Sequence, residues 1–593
     1  MGLWGAPRSS FPGGKLAERG GFEPPVPLPV HHLSKVTQSA TLPPLRRTAQ
    51  KTLAVNPEAK AEATFSGGCR QGFRCGGVAI LAVAYCMLIM ASLRNPAPGP
   101  HGRGAGGRTE VPACFHLVCA AAGAAVLVKF LLAAVIPATA DECLHWLQGQ
   151  HLALGFRDHP PATAMLSRVA TDVFGANWFG LRIVAILSTL ACSGIVWAIL
   201  RELGADRHRA MMAAAAVQLL PMLGFGVLMV PVMPHLALVL GAEWALLRAS
   251  RRDRLRDHVL FGLLLGLAMM TYYLAAVLVL VAMVAVVCER RVWLRPGMLL
   301  GLVVAALVFT PNLYWNLLGG AYSAMHFQLV DRSRKAFAPW QLLAYPLLAL
   351  GLAGPLLVPA LRRTPWALTG QSTGEQDWRA FFAWMVVGVL VLFTLIATVT
   401  QAGGHWAVLA YLNLPLVLLA PAAEPLSPRW WRAAVVAWAI PAAVVVAVAA
   451  VGLPRVSAWL PAASAASRAR ALNAEDATAQ VLRVVEQVRA DGLQPVVAAD
   501  RWSMAGMLSF HGAGRLQATA WPPPTRHGRD FWDWQAGSPV VGELVYVSSA
   551  AEPPAAVRAA CAGLELLSVL GQQSPYLWIY RCRDFRPPQS SSR

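Results

Sequence analysis

A polytopic α-helical membrane protein is the fold class this sequence predicts, and three observations predict it. Hydrophobic residues make up 56% of the chain and charged residues only 13%, with a mean hydropathy of +0.49, whereas soluble domains carry about 25% charged residues. Apolar runs long enough for a hydrocarbon core about 30 Å thick, roughly 17–25 residues each, recur from about Gly76 to about Gly452. Arginine supplies most of the formal charge of +20 and clusters in the short segments between those runs and in the N-terminal tail. That pattern marks a membrane side and argues against a nucleic-acid surface.

Residues 1–75 are rich in Pro, Gly, Ser and Arg without sustained apolar periodicity and are expected to form a disordered tail. The stretch from Gly20 to Leu45 resembles the translation of a stable-RNA gene, so the native start is expected downstream. Residues 76–112 hold a short apolar run, Val78–Leu93, kept as an extra helix, and a basic linker. Residues 113–453 read as the membrane domain. Ala113–Pro137 is apolar; Arg94, Arg103 and Arg108 precede it, and Asp141, Glu142 and Asp158 follow it, so the loop after it faces outward.

The next spans run through Arg182–Leu200, about Ala210–Leu247, about Val259–Val287, Pro296–Tyr314, Leu342–Leu361, Phe381–Thr398, His405–Ala420 and Ala433–Leu453. The second and third of these are long enough to be helix pairs, giving about 11–13 transmembrane helices in all. Five arginine clusters fall on alternate connections: Arg201, Arg207 and Arg209; Arg251 to Arg256; Arg290, Arg291 and Arg295; Arg362 and Arg363; Arg429 and Arg432. One topology satisfies them all. It puts Asp158, Val230–His235, Thr271–Tyr273, Trp315–Gln341, Gln401–His405 and everything after Leu453 on the outer side.

Residues 454–593 turn soluble in composition and read as a small extracytoplasmic α/β domain with one core. Ala474–Ala490 is helix-like, with apolar Val481, Val484, Val485 and Val488, and Pro495–Ala499, Gly542–Ser548 and Tyr576–Tyr580 are strand-like. Of ten cysteines, Cys86, Cys119 and Cys192 lie in apolar runs and none has the short paired spacing of a zinc or redox site. Cys561 and Cys582 fall in the outer part, where a disulfide between them is open to formation.

Chemistry concentrates in the first outer loop, where Asp141 and Glu142 follow directly on a membrane span and Asp158, His159 and a Pro-Pro precede an amphipathic segment, Ala162–Phe174. A carboxylate there can take a proton from an attacking hydroxyl, and a second carboxylate or imidazole can hold a divalent cation that neutralises a phosphate. The bland alternative is a solvated acidic loop. Tyr314, Trp315, Trp340, Trp406, Trp430 and Trp431 lie near span ends and are expected to be interfacial anchors. His235, beside Pro234, is either a metal ligand or an ordinary hydrogen-bonded histidine.

The loop residues Asp141, Glu142, His145, Trp146, Gln150, His151, Leu152, Gly155, Phe156, Asp158, His159, Pro160 and Pro161 follow one another in a pattern with a known counterpart. So do Phe174-Gly175, Gly180-Leu181-Arg182, Pro311-Asn312 with Trp315-Asn316, His326-Phe327-Gln328 and His405-Trp406. In the tail, Ala499-Asp500-Arg501-Trp502, Ala505, Phe510, Arg529–Trp532 and Tyr580-Arg581-Cys582-Arg583 extend it. The chain from about Ala113 to Pro587 thereby resembles the polyprenyl-phosphate-sugar-dependent glycosyltransferases of the GT-C superfamily, in particular bacterial relatives of protein O-mannosyltransferase and lipid A aminoarabinose transferase.

The resemblance implies an inverting transfer of a sugar from a polyprenyl-phosphate donor to a lipid, glycan or protein acceptor at the outer face of the plasma membrane, the inner membrane of a bacterium. Asp141 would be the base and Glu142 would orient the site. His159, Arg182, Arg332, Arg334, Lys335 and His405 would bind the donor phosphate or substrate, and Asp158 with His159 would hold a divalent cation of unassigned identity. Membrane lipids are the other implied partner, and nucleic acid is not one. The Arg- and Ala-rich composition suggests undecaprenyl phosphate as carrier.

Two positions depart from the family pattern, Val232 where it often has Asp and Tyr272 where it often has Lys. Two alternatives therefore stand beside the enzyme: a non-catalytic scaffold or partner of an envelope glycan system, and a transporter. A transporter predicts mid-membrane charges and inverted repeats. Lys129 is the residue that bears on it, and snorkelling or a donor contact explains that lysine more simply.

Overall fold

The structure, a computed structural model, describes residues 114–157, 159–277, 279, 296–319, 337–369, 376–400, 402–421, 423–451, 473–521, 542–571 and 575–586. The expectations for the N-terminal tail, Val78–Leu93, Asp158, Arg290 to Arg295, His326-Phe327-Gln328, Arg332, Arg334, Lys335 and Arg529–Trp532 lie outside them. The membrane part runs α1 (Phe115–Val135), α2 (Ala140–Gln150), α3 (Ala162–Phe174), α4 (Trp178–Glu202), α5 (Arg207–Leu219), α6 (Pro221–Gly224), α7 (Val232–Arg252) and α8 (Leu255–Thr271). It continues through α9 (Pro296–Gly319), α10 (Gln341–Ala353), α11 (Leu357–Thr369), α12 (Gln376–Val399), a short 3-10 turn (Gly404–Ala407), α13 (Val408–Leu419) and α14 (Pro428–Val451).

Among the described residues six helices, α1, α4, α7, α9, α12 and α14, are long and apolar enough to cross a membrane, or seven spans if α10 and α11 count together. The run Ala210–Leu247 resolves into α5, α6 and α7, as its length implies. Leu342–Leu361, expected as one span, is instead two helices bent by 114°. Gly354 adopts φ +76° after α10, and Pro355 then lacks the N–H that would continue the turn.

Lipid tails give apolar helices little reason to prefer one another, so close backbone approach and polar contacts decide the packing. Gly262 and Gly266 of α8 form a GxxxG face against Gly301 and Ala305 of α9, where a Cβ on Gly262 would lie 2.0 Å from the Gly301 carbonyl oxygen. Lys129 of α1 is fully buried and donates to Thr189 Oγ1 of α4 at 2.8 Å and to Gln218 of α5. It is stitched into the bundle and does not snorkel. α13 is buried on every side, as an all-apolar helix must be, and its Asn413 donates to Glu243 of α7 at 3.3 Å.

Arginines from three of the clusters meet the ends of helices away from Asp141. Arg252 pairs with Glu202 at 2.6 Å, Arg209 donates to the Pro421 carbonyl at 3.1 Å and Arg363 to the Leu418 carbonyl at 3.1 Å.

The C-terminal part comprises α15 (Ala474–Ala490), β1 (Val496–Ala499), α16 (Trp502–Gly512), β2 (Ala518–Ala520), β3 (Gly542–Ser548), α17 (Ala555–Ala560), β4 (Gly563–Leu570) and β5 (Leu577–Phe585). The strands form one sheet in the order β2-β1-β3-β5-β4, with β1 parallel to β2 and β3 and β5 antiparallel to β3 and β4. Strand alternation sends Val545 and Val547 toward the core shared with Val481, Val485 and Val488 of α15. Leu544 and Tyr546 face a second, smaller core with Ala498, Trp521 and Phe585.

Cys561 and Cys582 are joined in a disulfide with a sequence separation of 21. Closing such a loop contributes about 3 kcal/mol in chain-entropy terms. The Cys561→Ser, Cys582→Ser double variant is expected to melt its C-terminal domain at a clearly lower temperature in detergent, with the wild type converging on it once reductant is added.

Candidate functional site

Helix α2 is built to present Asp141. Thr139 and Glu142 form a capping box: the Glu142 amide donates to Thr139 Oγ1 at 3.3 Å, and the Thr139 amide donates to Glu142 Oε2 at 2.9 Å. Two carboxylates in the first turn also suit the helix dipole. Consecutive helical residues differ by about 100° around the axis, so Asp141 and Glu142 lie on different faces of the first turn. Glu142 is fully buried and Asp141 is exposed.

Glu142 is held by Arg182 of α4 in a two-pronged pair, Nε to Oε1 at 2.7 Å and Nη2 to Oε2 at 2.7 Å. The other donors of the Arg182 guanidinium are engaged as well: Nη1 with the Ile136 carbonyl at 2.6 Å and the Ala133 carbonyl at 3.4 Å, Nη2 with the Pro137 carbonyl at 2.9 Å. The Met229 amide, in the stretch leading into α7, donates to Glu142 Oε1 at 3.1 Å. One ion pair thereby ties the ends of α1, α2 and α4 and the entry to α7 together. Arg182, expected at a donor phosphate, has its fork committed to this latch.

The rest of the first loop is pinned to α9. Asn312 Nδ2 donates to the Leu154 carbonyl at 2.9 Å, Tyr273 donates from its hydroxyl to Asn312 Oδ1 at 3.0 Å, and Asn316 Nδ2 donates to Tyr273 Oη at 3.1 Å. Gly155 sits so close beneath this that an added Cβ would lie 2.6 Å from Trp315 Cε3 and 2.7 Å from Asn312 Nδ2. The Pro311-Asn312 and Trp315-Asn316 motif thus secures the loop. Phe156 closes its turn by donating from its amide to the His159 carbonyl at 3.0 Å.

A row of rings leads from α2 across to α7. His145 and His159 have centroids 5.3 Å apart, His159 and Tyr272 5.9 Å, and Tyr272 and His235 5.7 Å. Val232, where a carboxylate was expected, is buried one turn before His235, and Tyr272, where a lysine was expected, packs on that imidazole. The expectation of an ordinary hydrogen bond for His235 fits its Nδ1, which meets the Ala268 carbonyl at 3.2 Å.

His405 is exposed on the 3-10 turn before α13, with a ring contact to Trp406. Among the described residues no group of three or more His, Cys, Asp or Glu is placed to hold a metal ion. Of the expected cation pair, His159 lies within the described residues.

Sequence reasoning missed the part played by α16. Its Gly506 packs against α2, with a Cβ position 3.6 Å from the Leu144 amide nitrogen, and Phe510 meets Trp146 edge-on at 5.3 Å. Gln517, just before β2, reaches His151 at 3.0 Å, and partial burial lowers the pKa of that imidazole. The small residue at 506 was a readable signal for close helix approach. The capping-box spacing Thr139 to Glu142 was another, and it points to a structural role for Glu142.

Removing one partner of a buried ion pair leaves the other charge uncompensated, at a cost of about 3–5 kcal/mol. Arg182→Met should therefore lower the unfolding midpoint in detergent sharply, and adding Glu142→Gln should restore part of the loss. Strongly additive losses would show that the two side chains do not act as a pair. At Gly155, Ala should overpack the loop against α9 by about 1–3 kcal/mol. Its signature would be faster limited proteolysis within residues 151–161 while the helical circular dichroism is unchanged.

Residues 158–315 match the family of dolichyl-phosphate-mannose-protein mannosyltransferases. The lipid A galacturonosyltransferase RgtD of Rhizobium johnstonii is 26% identical over 283 residues, which cover 46% of this chain and 58% of that protein. The match thus spans little more than half the length of that relative. Among solved structures, apo ArnT from Cupriavidus metallidurans superposes with a TM-score of 0.52 at 16% identity, covering 79% of this chain and 98% of that one. The two share a fold.

Proposed function

We propose that this multi-pass membrane protein, similar over residues 158–315 to the dolichyl-phosphate-mannose-protein mannosyltransferases and sharing a fold with ArnT, is a GT-C-type glycosyltransferase that moves a sugar from a polyprenyl-phosphate donor to an acceptor hydroxyl. The observation that carries this reading is the exposed Asp141 carboxylate on the first turn of a helix whose next residue is locked in the bundle. The acceptor oxygen attacks the anomeric carbon, its proton passes to Asp141, and the bond from that carbon to the phosphate oxygen breaks. Polyprenyl phosphate leaves with the bonding pair. One displacement inverts the anomeric centre, and a single carboxylate suffices as base.

In this reading Glu142 and Arg182 act on Asp141 by positioning alone, sparing the reaction any rearrangement of α2. The placement of Arg252, Arg209 and Arg363 at the far end of the bundle supports a site on the outer side of the plasma membrane. His159 with Asp158 is the proposed place for a divalent cation, and Arg332, Arg334, Lys335 and His405 are the proposed phosphate or substrate contacts. A lipid A-like acceptor and an acidic sugar follow from the galacturonosyltransferase relative and are part of the proposal.

The test is transfer or donor hydrolysis by purified protein in lipid, across a panel of radiolabelled undecaprenyl-phosphate sugars, with and without chelator. Asp141→Asn should lower the rate at least a thousandfold with its melting temperature unchanged, since an exposed carboxylate contributes little to stability. Full activity in the variant would remove Asp141 from the base role. Silence of the wild type across the panel, with donor still bound, would favour the non-catalytic scaffold, for which the apolar Val232 is the motivating residue.

A further inference from the structure

His235 is a second-turn residue of α7 in a helix otherwise apolar for its first two turns, and its side chain is fully buried. Its ring is placed by two contacts. Nδ1 lies 3.2 Å from the Ala268 carbonyl of α8, and the ring edge meets Tyr272. A carbonyl can only accept, so the proton of the neutral ring sits on Nδ1 and Nε2 carries a lone pair. Nε2 is buried and has no hydrogen-bond partner among the described residues.

An unpaired acceptor that is fully buried costs about 1–3 kcal/mol, which makes Nε2 a place where something is expected to bind. Its location ties it to the site. The row Tyr272, His159 and His145 leads from His235 to α2, and the Met229 amide joins the approach to α7 to Glu142. Three kinds of ligand atom can be weighed. A phosphate oxygen would meet the lone pair with another lone pair, which repels. A metal ion would need further ligands, and among the described residues no group of three His, Cys, Asp or Glu assembles. A hydroxyl supplies the one hydrogen that Nε2 lacks.

We infer that His235 Nε2 accepts a hydrogen bond from a ring hydroxyl of the donor's sugar, which makes His235 a specificity-determining residue. The inference rests on the transferase reading above and names the contact by which that site selects its sugar. Tyr272 meets the imidazole edge-on, and sugar selection and proton removal fall on different elements, α7 and α2.

The experiment compares the donor that the wild type transfers fastest with its monodeoxy analogues, using wild type, His235→Phe and His235→Gln. Phe keeps the ring volume without the acceptor, and Gln restores an acceptor oxygen. One neutral hydrogen bond predicts that the wild type loses about tenfold in kcat/KM on one deoxy analogue. His235→Phe should lose a similar factor on the parent donor and treat parent and analogue alike, and His235→Gln should recover part of the discrimination. Undecaprenyl phosphate without sugar should bind all three proteins equally, which also checks that the variants are folded.

Undiminished discrimination in His235→Phe would overturn the inference while leaving the transferase intact, and would mean that Nε2 holds only a buried water. Should His235→Phe fail to bind undecaprenyl phosphate, His235→Gln decides by the same comparison. A wild type that transfers from no donor would overturn the transferase reading and this inference with it.

Discussion

The Glu142–Arg182 ion pair is the constraint on which the rest of the site depends. Both side chains are fully shielded from solvent, and withdrawing two charges from water costs several kcal/mol per ion unless their hydrogen-bonding capacity is filled. Here it is filled on both sides. Arg182 spends its fork on one carboxylate and three carbonyls, and Glu142 accepts from Arg182, Thr139 and Met229. The carbonyls belong to the last turn of α1 and the residues after it, where a helix leaves such groups without internal partners. A single guanidinium therefore satisfies a helix terminus and a carboxylate together, and four chain segments must meet for it to do so.

Asp141 inherits its position from that arrangement. It is exposed on the first turn of α2, about 100° around the axis from the buried Glu142. Asn312 and Asn316 hold the loop that follows α2, and α16 covers the helix from the C-terminal domain. α2 is thus fixed at its start, along its length and beyond its end, which is the preorganisation a proton-accepting carboxylate needs if no barrier is to be spent on moving it.

Much of this was legible in the sequence. Apolar length and arginine spacing located most spans, the amphipathic period placed Ala162–Phe174 residue for residue, and three strands were read from β-branched runs. What was not legible is who faces whom. An arginine at the head of a span looks alike whether it awaits a phosphate or a neighbouring carboxylate, so Arg182 was read as a ligand and Lys129 as a snorkelling side chain or a donor contact. β2 is only three residues long and β4 leaves much of its apolar surface exposed, so neither offers the alternation by which strands are recognised. The break at Gly354 hides in an apolar run because hydropathy ignores backbone angles.

The same limit explains where specificity resides. In lipid, a polar side chain inside the bundle is retained only where something satisfies it, since no water is present to do so. Lys129, Thr189, Gln218 and Ser193 satisfy one another and stitch α1, α4 and α5 below the latch. Several buried polar atoms have no partner among the described residues, Gln148 Nε2, Glu243 Oε2 and Asn413 Oδ1 among them, and His235 adds Nε2 to these. One of its nitrogens is spent on α8 and the other is left over beside the row of rings that ends at α2. What sets that leftover acceptor apart from the other unpaired buried atoms is its place beside the row of rings, and on the proposed reading the physical reason to keep it lies in what the site admits.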